Sequence, residues 1–72
     1  MRTYWLYFRD RLNGHIVKRR TFEAQGDLAA IQTAAAMSDD RPMDLRDTRR
    51  AVKSWTAEQA RHLSNKLQAR DQ

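Results

Sequence analysis

The stretch Thr3-Tyr4-Trp5-Leu6-Tyr7-Phe8-Arg9-Asp10 restricts the folds open to this chain more than any other. Aromatic side chains favour extended backbone, and successive side chains of a strand point to opposite faces. A half-buried strand therefore alternates apolar with polar residues. Tyr4 to Phe8 does not alternate: it is apolar or aromatic on both faces. Tyr4, Leu6 and Phe8 form the more hydrophobic set and are expected in the core. Trp5 and Tyr7 then project to the opposite side, where their role has to be found.

The rest of the chain supplies a partner strand and a cover. Asn13-Gly14 is a turn signal, because both residues tolerate positive φ. His15 to Glu23 reads as a second strand, so residues 3–23 predict a β-hairpin. Gly26-Asp27 opens a helix, with Asp27 as the expected N-cap. Leu28, Ile31, Ala34 and Ala35 are expected along its buried face, and its alanines allow a close approach to a sheet. Pro42 stops helical structure and pushes Arg41 toward extended geometry. Met43 to Arg46 and Ala51 to Trp55 read as two short strands around the turn Asp47-Thr48-Arg49-Arg50; one longer irregular strand is the alternative. Thr56 and Gln59 make a capping box for a last helix over about residues 57–69, with Trp55 placed to pack on Ala60. The stripe Ala60, Leu63 and Leu67 on that helix is narrow.

The expected fold class is thus α+β, in the order β-β-α-β(-β)-α: a small antiparallel sheet led by a hairpin, with helices packed on one face. An aromatic strand, then Asp10-x-x-x-Gly14-x-Ile16, then Phe22 ahead of an alanine-rich helix resembles small bacterial domains of unknown function with a β-β-α-β core. The resemblance spans roughly residues 3–55 and stops before the last helix. Such domains often carry an aromatic residue where this chain has Arg46. The resemblance implies a fold and no activity.

Seventy-two residues make a single domain with a thin core. Such a chain leans on local propensity or on self-association. It has no cysteine, which excludes disulfides, cysteine-based zinc sites and thiol chemistry and fits a reducing compartment. No run approaches the ~18–20 apolar residues of a membrane span, and the N-terminus lacks a signal-peptide layout. The expectation is a soluble, cytoplasmic protein with no membrane partner.

Catalysis requires convergent groups with tuned pKa values. His15 and His62 stand in no recognisable nucleophile context. Asp39, Asp40 and Asp44 match no calcium loop, and two glycines cannot build a phosphate loop. The expectation is a protein that is not an enzyme, with no catalytic residue, metal or cofactor.

The formal net charge is +5 and unevenly spread. Residues 1–20 carry six Lys or Arg against one acid, residues 21–40 four acids and no Lys or Arg, and residues 41–55 five bases against two acids. Basic surfaces attract phosphate polymers. The possible hairpin registers set Tyr7 opposite Lys18, Arg19 or Arg20, so a cation faces it in each. Trp5 and Tyr7 beside Lys18, Arg19 and Arg20, extended by Arg46, Arg49, Arg50 and Lys53, would suit single-stranded DNA or RNA: rings stack on bases and cations hold phosphates. Two other uses of that face are open. It can be a homodimer or protein-partner interface, where Trp, Tyr and Arg are enriched. It can also be covered by the last helix.

Overall fold

A computed structural model describes the backbone of residues 1–69 and the side chains of residues 1–63. The elements are β1 (Arg2–Arg9), β2 (Ile16–Ala24), α1 (Asp27–Ala36), β3 (Met43–Arg46), β4 (Ala51–Trp55) and α2 (Ala57–Ala69). The four strands form one sheet in the order β2-β1-β3-β4, every neighbouring pair antiparallel. This is the expected α+β class, with two short strands after α1 rather than one long one. β2 and β3 run parallel to each other on either side of β1, joined by the crossover through α1.

Both hairpins are closed by aspartate. Asp10 Oδ1 accepts from the N–H groups of Leu12 and Asn13, and Asp47 Oδ1 accepts from those of Arg49 and Arg50. Such bonds let a short polar side chain stand in for a backbone turn. In the first loop the Gly14 N–H also reaches the Asp10 carbonyl, and the Asp10 N–H the His15 carbonyl. Gly14 has a φ of 74°, the one position in this turn where a left-handed backbone calls for glycine. The loop sets Tyr4 opposite Phe22, Trp5 opposite Thr21, Leu6 opposite Arg20 and Tyr7 opposite Arg19. A bulge follows between Phe8 and Arg9, where the register shifts by one residue.

Tyr4, Leu6 and Phe8 are buried, together with Met43 and Leu45 from β3, as the sequence predicts. Ala30, Ala34 and Ala60 close over them from the two helices, and Trp55 joins the same cluster. Tyr4 and Phe22 stack with ring centroids 5.9 Å apart. Both helices therefore lie on one side of the sheet, and the molecule is only 15 Å through its thinnest dimension.

Two expectations for α1 are corrected. Its N-cap is Gly26, in extended backbone and without a side-chain cap bond, and Asp27 is the first helical residue. Its buried residues are Ala30 and Ala34, whereas Leu28 is 71% exposed. The smallest side chains of α1 face the core, where they meet Ala60 of α2 and the buried residues of the sheet; a leucine there would push these elements apart. Ile31 sits at the margin of the core. In α2 the capping box forms in both directions: the Thr56 N–H donates to Gln59 Oε1 at 2.9 Å, and the Gln59 N–H to Thr56 Oγ1 at 3.1 Å. Leu67 lies outside the residues whose side chains are described.

This packing predicts opposite tolerances on one helix. Ala34→Leu should cost about 1–3 kcal/mol by overpacking, while Leu28→Gln should stay within about 0.5 kcal/mol. Urea unfolding of the two variants checks the helix phase; equal costs would show that α1 is rotated from this position.

Candidate binding face

With both helices on one side, the other side of the sheet carries no layer. Alternation along β1 places Thr3, Trp5 and Tyr7 there, all partly exposed. The register adds Arg19, Thr21 and Glu23 from β2, and Asp44 and Arg46 from β3. Trp5 stands between Thr21 on β2 and Arg46 on β3; Tyr7 stands between Arg19 and Asp44. A shallow depression on this face is lined by Trp5, Tyr7, Arg46, Asp47 and Thr48.

The nine residues singled out from the sequence separate into three groups. Trp5, Tyr7, Arg19 and Arg46 come together on the bare face. Arg49 and Arg50 lie in the β3–β4 turn. Lys18, Arg20 and Lys53 project to the helix side, because they pair with Phe8, Leu6 and Leu45. There Lys18 Nζ lies 5.5 Å from the centroid of the Phe8 ring, joined by the Arg41 guanidinium at 5.2 Å. Both cations thus approach the ring of a residue that is itself buried. Lys53 Nζ stands 5.7 Å over Trp55 in the same way. Among the described residues no such cation stacks on Trp5 or Tyr7, so their rings remain available.

Among the described residues, five aspartates are paired with arginine. Asp27 accepts from the Tyr4 hydroxyl at 2.9 Å and from Arg50 at 2.6 Å, with Arg2 at 3.9 Å. Arg9 pairs with Asp44, Arg11 with Asp40, and Arg41 with Asp39. Arg50 also reaches Asp47 at 3.1 Å. The Arg50 and Tyr4 hydrogen bonds hold the Asp27 carboxyl below the usual aspartate range. Burial, and the Asp27 bond after it, push the Tyr4 phenol up. Of the nine candidates Arg50 alone is taken into these pairs. Among the described residues, the candidates Lys18, Arg19, Arg20, Arg46, Arg49 and Lys53 enter no ion pair, and only Arg19 and Arg46 lie beside the partly exposed rings.

Sequence reasoning missed the Asp27 hub, reading that residue as a helix cap. The signal available was a core tyrosine in need of an acceptor for its hydroxyl. His15 and His62 are exposed and apart, and no group of three or more metal-ligating side chains forms among the described residues. Among those residues no helix is long and apolar enough to cross a membrane. The last helix does not cover the bare face: Ala60 enters the core beside the alanines of α1. No protein-family model, no curated protein and no solved structure matches the chain.

The Asp27 hub makes a pH prediction. A carboxyl whose folded pKa is depressed stabilises the fold above its unfolded pKa and loses that contribution as pH falls through the folded one. Asp27→Asn should therefore be less stable than the parent at pH 7. The difference should shrink once pH drops below the ordinary value of 3.8. Thermal unfolding of both proteins from pH 7 to pH 2 measures it; a gap that persists at the acid end would assign the loss to packing instead of charge.

Proposed function

We propose that this chain is a non-enzymatic binding module that takes single-stranded nucleic acid on its bare sheet face. The observation that carries the reading is one arrangement: Trp5 and Tyr7 project from the same strand, with unpaired Arg46 and Arg19 on the strands to either side. Side chains two residues apart on a strand stand roughly 6.5 Å apart, a step that neighbouring nucleotides of an extended strand can bridge. Each ring offers a π-face to a base regardless of its identity, and each guanidinium offers donors to a phosphate. Arg49, in the adjoining turn, is placed to continue the phosphate track. Lys18, Arg20 and Lys53 add to the long-range field from the other side of the sheet and touch no base stacked on Trp5 or Tyr7.

The Tyr7–Arg19 pair has a particular geometry. The Arg9 N–H donates to the Pro42 carbonyl, so odd-numbered residues of β1 turn their main-chain groups toward β3. Tyr7 and Arg19 are thus a non-hydrogen-bonded pair, the closer of the two antiparallel types, with Cα atoms about 4.5 Å apart. Asp44, on the other side of Tyr7, would repel phosphate, but its charge is answered by Arg9.

Tryptophan fluorescence tests the reading, because Trp5 is partly exposed and Trp55 is 7% exposed. A short mixed single-stranded RNA should quench Trp5, in part even at physiological salt. Trp5→Ala and Tyr7→Ala should each stay folded and bind roughly 5- to 150-fold more weakly, the equivalent of ~1–3 kcal/mol per stacked base. Arg19→Gln and Arg46→Gln should each flatten the log–log salt dependence by about 0.7. Quenching that vanishes at physiological salt would reduce the effect to non-specific attraction. No quenching at either salt would turn the face over to protein contact.

A further inference from the structure

β2 is an outer strand of nine residues, and its free edge is the longer of the two the sheet exposes. The β4 edge has five residues and runs into α2. Two hydrogen bonds fix which main-chain groups the β2 edge offers. The Arg9 N–H points to β3, where it donates to the Pro42 carbonyl at 2.9 Å, and the Asp10 N–H points to the His15 carbonyl at 2.7 Å. Main-chain groups alternate sides along a strand. Tyr4, Leu6 and Phe8 therefore spend theirs on Phe22, Arg20 and Lys18. Arg19, Thr21 and Glu23 are left with N–H and C=O groups directed outward.

The side chains of those residues add a second constraint. Arg19 and Glu23 project to the bare face, and neither enters an ion pair among the described residues. Four residues apart on a strand, they stand about 13 Å from each other, too far to meet within one chain. An antiparallel copy can bring them together. Regular pairing must match outward-directed residues with outward-directed ones, so a two-fold axis passes through a residue and not between two. Centred on Arg19 or on Arg20, it sets those cations against their own copies, which is unfavourable. Centred on Phe22, it sets Arg19 against Gln25. Centred on Thr21, it sets Arg19 against the partner's Glu23 twice over, Arg20 against the partner's Phe22 and Lys18 against the partner's Ala24.

We propose that two copies of this chain join edge to edge through β2, antiparallel about a two-fold axis at Thr21. Residues directly opposite in an antiparallel pair share a face, so the two four-stranded sheets become one of eight strands with a single continuous bare side. The two Arg19–Glu23 pairs lie on that side and select the register. The joint is a strand edge and not a packed surface, and it buries less than the ~1,600 Å² of a standard interface. A weak, reversible dimer is therefore expected. The joint uses the edge and leaves Trp5 and Tyr7 uncovered, but it engages Arg19, so in the dimer Arg46 remains the unpaired cation beside the rings.

Analytical ultracentrifugation of the full chain, from about 1 μM to about 1 mM, tests it together with two charge reversals. Arg19→Glu and Glu23→Arg should each weaken the dimer roughly 10-fold or more, since each places like charges opposite at two sites. An equimolar mixture of the two variants should associate again, because every opposing pair is then Arg against Glu. Hydrogen exchange of the unmodified protein gives a readout free of substitutions. The amides of Arg19, Thr21 and Glu23 should gain protection as concentration rises, while those of Lys18, Arg20 and Phe22 are protected throughout. A monomer across the whole range overturns the proposal. So does a dimer that neither reversal weakens, or a mixture no more associated than its components; a dimer dispersed instead by Trp5→Ala would be one built on the bare face.

Discussion

The core that α1 and α2 share with one face of β1 is the contact from which the other features of this protein follow. Tyr4, Leu6 and Phe8 fill one face of a central strand, and Ala30 and Ala34 meet them with almost no side chain of their own. Small residues on the helix bring it near the sheet, and large residues on the sheet supply the apolar area. Burial of such area is the main favourable term available to a chain of this length. The arrangement gives β1 a fully covered side and leaves its other side without a layer. Trp5 and Tyr7 stay partly exposed because both helices pack on the opposite side of the sheet.

Charge is distributed to suit that economy of layers. The acidic segment does not build a separate negative patch. Asp27, Asp39 and Asp40 each hold an arginine, and the Asp27 pairs tie the start of α1 to β1 and to the β3–β4 turn. Exposed pairs of this kind are individually weak, so their value here lies in geometry: they commit several guanidiniums to fixed places. Cations without such partners divide by strand parity. Lys18 and Lys53, pointing toward the helices, lie over the Phe8 and Trp55 rings, and Arg19 and Arg46, pointing away, flank the rings of the bare face.

The architecture was legible in the sequence wherever a local signal matched a local cause. Asn13-Gly14, Pro42 and the Thr56–Gln59 box punctuate the chain where its elements begin and end. The division of β1 into Tyr4-Leu6-Phe8 and Trp5-Tyr7 followed from alternation alone. Three things were not legible. The rotation of α1 depends on how near the helix lies to the sheet, and periodicity in a run of alanines carries almost no phase. The sides taken by Lys18, Arg19 and Arg20 depend on a register that three loop lengths fit equally well, and a slip of one residue exchanges the faces. The role of Asp27 depends on Tyr4, a residue 23 positions away.

The position of β3 has a consequence for how the chain assembles. β1 can meet β2 across the short loop from Asp10 to His15, and β3 can meet β4 across the still shorter one from Asp47 to Arg50. The β1–β3 ladder, by contrast, joins segments far apart in the chain; its rim contact between Arg9 and Asp44 spans 35 residues. Closing that long loop carries the larger entropic cost, and until it closes neither hairpin has a core to rest on, since an isolated two-stranded hairpin is marginal in water. α1 lies within the loop, and its formation shortens the distance the chain must search. The alanine-rich helix thus serves the path to the native state as well as its packing: strong intrinsic helicity in the connecting segment draws β3 toward the one strand edge of β1 that β2 leaves free.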